Sequence, residues 1–320
     1  MRTFFGLTTI FIGIASIFLF QHRLLDLANT AIELVLRQTN TAATSPVSQQ
    51  QPAQASLHPN IPQGPQEHLI VTEMSVSRAI KKVFLAIEQA EGAGARVRRS
   101  IGTPNLRNFS PFLMLDHFSI KPGAGFPDHA NVGLQLWVDL PADLKACEPR
   151  YRDLRAAEIP KVEVDEGKAT IKVISGQSHG IDSVKDLAYT PVWIIDIELR
   201  PGAKVTQPLP QNWSAFSYVL EGDVYFGEGD DRRKVEQYNL TVFGSEGDVV
   251  HVEADANATK PSRLVIIAGT PLDQPVVQYG PFVLTSKDQV YQALSDYQSH
   301  ANGFERAKDW RSEIGKSMMH

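Results

Sequence analysis

Few residues of this 320-residue chain are of a type and spacing that could do chemistry. His251-Val-Glu253 places an imidazole and a carboxylate two positions apart in a segment rich in β-branched residues. Side chains alternate across a strand, so the pair would share one face, and if that face is interior they supply two ligands of a metal site. The segment expected to oppose them carries Pro208 and Pro210, which have no donor atom to add. Two protein ligands at most would remain, so the expected state of His251 is a surface or barrel-mouth histidine paired with the Glu253 carboxylate. A single cysteine, Cys147, excludes an internal disulfide and a cysteine-based zinc site, and it is expected to pack or to lie at the surface. Arg96, Arg98 and Arg99 form a small basic cluster in which Arg96 and Arg98 share a strand face, expected to be solvated. Gly92-Ala-Gly94 precedes a strand rather than opening a helix, and the chain has no Walker, G-x-S-x-G or G-x-G-x-x-G motif for nucleotide or acyl chemistry. With a formal net charge of -5, bulk electrostatics give no attraction to phosphates, so direct nucleic-acid binding is not expected.

The elements that must position these residues are mostly strands. From residue 77 onward short segments such as GARVRRSIG, LQLWVDLP, ATIKVISG, PVWIIDIELR, FSYVLEGDVYFG and SRLVIIAG are bounded by Gly, Pro or Asp, and many alternate apolar and polar residues. Regular short strands separated by turns predict a sandwich or barrel. Near the end, residues 286–297 (SKDQVYQALSDY) predict a helix with Val290, Leu294 and Tyr297 on one face, Ser286 as N-cap and Asp288 in the first turn. Trp137, Trp193 and Trp213 are expected in the core.

The N-terminal part is different. An uncharged apolar run opens at Phe4 and closes at Phe20, and as a helix it would span about 26 Å, just short of a hydrocarbon core of about 30 Å. The leading expectation is a signal-anchor or transmembrane helix over residues 1–23. A cleaved signal peptide is the second reading, and the third is translation from Met74, which would leave the leader out. Residues 24–74 comprise a short amphipathic stretch and then a Gln-, Pro-, Ala-, Ser- and Thr-rich tether with too little apolar surface to fold. Membrane anchorage is therefore expected if Met1 is the start, and a cytoplasmic or nuclear product if Met74 is.

Between residues 77 and 315 the chain resembles the pirin family. The segments that carry the resemblance are residues 91–102, NFSPFLMLDHF at 108–118, GFPDH at 125–129, GLQLWVDLP at 133–141, EPRYRDL, EIPKV, ISGQSHGI, PGAKVTQPLPQNWSAFSYVLEGDVY, QYGPFV and NGFERAKDW, in family order. The resemblance implies an all-β protein of two tandem cupin (jelly-roll) barrels, here over residues 75–188 and 189–285, with a C-terminal helix and tail at 286–320. It also implies an iron held by three His and one Glu in the first barrel, and either transcriptional co-regulation or quercetin 2,3-dioxygenase activity.

Laid on the metal-cupin pattern G-x5-H-x-H-x3,4-E-x6-G, Gly123 leads to His129, the single family ligand position retained. The second His position is Asn131, the Glu position reads Gln135 or Leu136, and the later H-x-E strand expected in pirins is missing, because HAN runs directly into VGLQLWVDL. The first barrel is therefore expected to be internally truncated and to bind no metal. In the second barrel the same spacing runs from Gly202 to Gly222, with Pro208, Pro210 and Ala215 at the ligand positions. The expected function is a monomeric, metal-free pirin-like protein that works through a protein partner. The alternatives are an iron-dependent dioxygenase in the intact family form and a non-functional splice or gene-model product. Loss of strands should also leave Leu134, Leu136 and Val138, or the face opposite them, without part of their cover.

Overall fold

The structure is a computed structural model that describes residues 9–12, 75–91, 95–120, 132–147, 154–184 and 188–307. In chain order the strands are β1 (Thr9–Ile12), β2 (Ile80–Leu85), β3 (Glu88–Glu91), β4 (Ala95–Ile101), β5 (Phe112–Ile120) and β6 (Val132–Val138). There follow β7 (Lys161–Val164), β8 (Ala169–Ser175), β9 (Gln177–Ser178), β10 (Ile181–Asp182), β11 (Val192–Leu199), β12 (Lys204–Pro208) and β13 (Ser214–Glu221). The last are β14 (Val224–Phe226), β15 (Arg233–Val235), β16 (Asn239–Phe243), β17 (Val249–Ala254), β18 (Ser262–Gly269), β19 (Val277–Tyr279) and β20 (Phe282–Leu284), before helix α1 (Lys287–Ser299).

A seven-stranded antiparallel sheet, ordered β2-β16-β13-β18-β11-β8-β7, lies at the centre of the fold. Its middle strands read SAFSYVLE, SRLVIIAG and VWIIDIEL, nearly unbroken apolar runs. Such runs suit strands that are covered on both faces, and these are. Along β13, Ala215 and Val219 enter one core while Phe216, Tyr218 and Leu220 enter the other. The first core lies against the four-stranded sheet β12-β17-β14-β15, closing the C-terminal barrel around Ile197, Leu199, Phe226, Val252 and Ile266. The second lies against a five-stranded sheet, β1-β6-β5-β4-β3, whose Ile101, Phe112, Leu115, Leu134 and Leu136 meet Phe216, Tyr218, Val265 and Ile267. Phe112 and Phe216 meet edge-on at 5.0 Å.

The fold is the expected all-β one, with a helix at the end. Ser286 caps α1 through a reciprocal box with Gln289, and the helix closes at His300 in the left-handed region (φ 54°). Val290 is buried and Leu294 and Tyr297 are half-buried, as the spacing predicts. β2, β7 and β8 come from the stretch read as the first barrel, yet their ladders join them to the central sheet of the second.

Two expectations need correction. The expected apolar helix at the N-terminus is not seen: Thr9–Ile12, the described part of the run from Phe4 to Phe20, is strand β1, paired in parallel with Gly133–Leu136 of β6. Thr9, Ile10 and Ile12 are β-branched and fit a ladder at least as well as a helix. Among the described residues no helix is long and apolar enough to cross a membrane. The tether at 24–74 and the remainder of the run lie outside the described residues. The second correction concerns cover. Leu134 and Leu136 are 1% and 3% exposed, because the central sheet lies over them where strands of their own barrel were expected to.

Candidate functional site

The C-terminal barrel keeps the frame of a cupin metal site and lacks its chemistry. Gly202 (φ 75°) turns the chain from β11 into β12, and Gly222 (φ 66°) turns it out of β13, where an added Cβ would come within 2.5 Å of the Ser262 hydroxyl. Both conformations favour glycine. Between them Pro208 is buried at the end of β12 and Ala215 is fully buried in β13, with Pro210 in the connecting turn. Two prolines and an alanine offer no side-chain donor, so the residues present do not fit a metal ion.

His251 and Glu253 do share a face of β17, but it is the outer one. Val250, Val252 and Ala254 take the interior positions. The His251 Nε2 lies 3.3 Å from the exposed Glu228 carboxylate, and its Nδ1 lies 2.9 Å from the Thr206 hydroxyl on β12. Glu253 faces Lys204 and Arg232 instead. The outward histidine is as expected, but its partner is corrected: the carboxylate beside it is Glu228 from the β14–β15 connection, and Glu253 is taken by two cations.

Gln207, Ser178 and His179 form a polar network inside this barrel, whereas the fully buried Ser217 and Thr241 hydroxyls make no hydrogen bond. The fully buried Gln207 accepts a 2.7 Å hydrogen bond from Ser178 on β9 and donates to the carbonyl of Pro208 at 2.8 Å. Ser178 also meets His179 Nδ1 at 2.9 Å, and burial holds the His179 imidazole below its ordinary pKa. Gly176 (φ 90°) starts this plug, and an added Cβ would enter the Trp193 ring at 2.2 Å. Trp193 stands edge-on to Trp213, and both pack against the barrel core, as expected. Trp137, on β6, is half-buried.

His129 and Asn131, the positions on which an iron centre in the first barrel would turn, lie outside the described residues. Gln135, at the Glu position, sits on β6 opposite Asp116 of β5. Asp116 makes a bidentate pair with Arg99 at 2.8 and 2.7 Å. Arg96 and Arg98 both pair with Glu88 across β3. Among the described residues no three His, Cys, Asp or Glu side chains come together as a metal requires.

Two clusters had no signal in the sequence. Between the five-stranded and central sheets, His117 Nδ1 lies 3.3 Å from the Tyr218 hydroxyl, with Tyr238 beside both and the Arg98 guanidinium 4.2 Å from the Tyr238 ring centre. Burial, helped by Arg98, pushes the His117 imidazole down to about 4, and burial raises the Tyr218 phenol well above its ordinary value. Both are neutral at pH 7, so neither is poised as a general base or a phenolate. At the far end of the five-stranded sheet, Asp139 pairs with Lys145 at 2.5 Å and accepts from Gln274 at 2.8 Å. Beside them is a cavity of about 210 Å³ bounded by Asn108, Ser110, Pro111 and Gln274. These residues come from distant stretches of chain, and a single sequence holds no cue that joins them.

The likeness to known proteins follows the same division. Residues 194–303 match the family model of the pirin C-terminal cupin domain. The chain is 39% identical over 295 residues to the human (Homo sapiens) protein named Pirin, covering 76% of this chain and 100% of that one. It is 36% identical over 288 residues to the pirin-like protein of Solanum lycopersicum, covering 74% and 97%. Among solved structures, quercetin 2,3-dioxygenase from Acinetobacter baumannii superposes with a TM-score of 0.59 at 21% identity, over 70% of this chain and 98% of that chain, a likeness of fold. Since 76% of 320 residues is about 243, about 50 of the 295 positions aligned with the human protein have no residue in this chain.

Proposed function

The chain belongs to the pirin family of cupins, and from that premise we propose that it acts without a metal, by presenting its cupin surfaces to a protein partner. The observation that carries the reading is the donor set. The barrel that is fully framed places Pro208, Pro210 and Ala215 where ligands would stand, and its H-x-E pair points outward. For the first barrel, the proposal rests on Asn131, on Gln135 and Leu136, and on the missing H-x-E strand, which leave His129 as a lone imidazole. One neutral ligand cannot hold iron against water. The absent positions in the alignment support an internal truncation of this chain.

The test is elemental analysis of the full chain purified from iron-replete medium, together with oxygen uptake on quercetin. The expected result is iron far below one per chain and no turnover. One iron per chain, lost in His129→Ala together with quercetin oxidation, would establish the dioxygenase reading instead. A further reading, a splice or gene-model product without a function of its own, is favoured by the family-like segments that stand on both sides of the missing H-x-E strand, GFPDH at 125–129 and GLQLWVDLP at 133–141. Sequencing the transcript across the codons for Asn131 and Val132 decides it: an in-frame block encoding an H-x-E strand in the mature message would show that the chain lacks part of the working protein.

A further inference from the structure

We propose that the interior of the C-terminal barrel binds a water molecule between the hydroxyls of Ser217 on β13 and Thr241 on β16. Both side chains are fully buried, and neither hydroxyl has a hydrogen-bond partner among the described residues. A buried hydroxyl left unpaired loses its hydration without compensation, so native folds rarely keep one in that state. Here there are two, and the register sets them side by side: Ser217 stands opposite Thr241. Strand alternation turns both inward. Ala215 and Val219 flank Ser217 in the barrel core and Phe243 follows Thr241 there, whereas Leu240 and Val242 enter the other core. Next to the pair across the central sheet come Val83 on one side and Ile266 on the other, which have no polar side-chain atom to offer. Asn239, the preceding residue on this face of β16, donates its amide to the carbonyls of Glu236 and Gln237. Gln207, the buried amide of the facing sheet, is engaged by Ser178 and by the Gln177 and Pro208 carbonyls. The nearest polar side chain to each hydroxyl in the ladder is therefore the other hydroxyl. Directly opposed Cβ atoms stand about 4.5–5.5 Å apart, a gap that a water spans by bonding at about 2.8 Å to each side. The guest has to be neutral, because an ion among these aliphatic side chains would have no counter-charge. It has to be small, because both hydroxyls are sealed from solvent, and it has to donate and accept as they do. Ser217 follows Ala215 on the same face, so this neutral site adjoins the position at which the cupin pattern would put a carboxylate ligand.

The experiment counts long-lived internal waters in the full chain by magnetic relaxation dispersion of the water oxygen, in the wild type and in the double variant Ser217→Ala with Thr241→Val, which removes both hydroxyls. The wild type should hold one more such water than the double variant, and equal counts would overturn the proposal. A crystal structure of the full chain should show an isolated water within about 3 Å of both hydroxyls. Hydroxyls bonded directly to each other, with no water between them, would overturn it as well. Urea unfolding supplies a readout that an idle pair of hydroxyls would move the other way. Thr241→Val alone should lower the unfolding midpoint, because it takes from the water one of its side-chain partners and leaves Ser217 with a weaker one. A raised midpoint would show that the hydroxyl had no bond to lose and would refute the site. The double variant should lie closer to the wild type than the sum of the two single changes, and strictly additive changes would count against a shared guest.

Discussion

Lowering the pH from 7 to 5 should weaken the contact between the five-stranded and central sheets through one side chain, His117. It projects from β5 against Tyr218 of β13 and Tyr238 ahead of β16, with ring centres 5.7 and 5.8 Å away. The charged group near it is Arg98 from β4, and Asp116, its neighbour on β5, is occupied with Arg99. Desolvation first, and the Arg98 charge second, depress its pKa from 6.5 to about 4. In the unfolded chain the ring takes a proton near 6.5, whereas in the folded protein it refuses one until about 4. The unfolded state therefore binds more protons through that interval, and stability falls as the pH drops. Between pH 7 and pH 5 the loss comes to about 2 kcal/mol, from about 1.4 kcal/mol per pKa unit. It should be read as the difference between the wild type and His117→Gln in urea unfolding at the two pH values, since a glutamine keeps a polar end near Tyr218 without titrating. The wild type should lose about 2 kcal/mol more than the variant, and the His117 imidazole resonance should titrate near 4. Equal pH dependence in the two proteins, or a His117 midpoint at 6 or above, would show that the imidazole is not buried between the sheets.

Four other outcomes follow from the geometry. Asp139→Asn leaves Lys145 buried without its counter-charge and should cost about 3–5 kcal/mol in chemical denaturation, while the double change Asp139→Asn with Lys145→Met should recover much of it. Gly176→Ala meets both a φ of 90° and the Trp193 ring and should lower stability by well over 1 kcal/mol, with a shift in tryptophan fluorescence as the indole moves. Ser286→Ala removes the N-cap of α1 and should cost about 1 kcal/mol, visible as faster amide exchange in the first turn of the helix. His251→Ala, whose partner Glu228 is exposed, should leave stability within about 0.5 kcal/mol and iron content unchanged; loss of bound metal in this variant would contradict the outward placement of the pair.

What the sequence determined by itself were the local and periodic features. Alternation and turn residues gave the strands, Ser286 and the spacing of Val290, Leu294 and Tyr297 gave α1, and the spacing from Gly202 to Gly222 located a cupin frame whose ligand positions cannot bind a metal. Residue identity alone decides that last point, since proline and alanine have no donor wherever they sit. Tertiary structure decided which face is which. The period of two puts His251 and Glu253 on one side of β17, but it cannot say that side is outside; Val250 and Val252 take the core because burying them gains what burying a charged pair would cost. It also decided the partners. Leu134 and Leu136 find their cover on a sheet drawn from the other barrel, and an apolar run that reads as a membrane helix by composition contributes a strand to β6. Hydrophobicity records that a residue must leave water, and only the assembled fold determines which surface receives it.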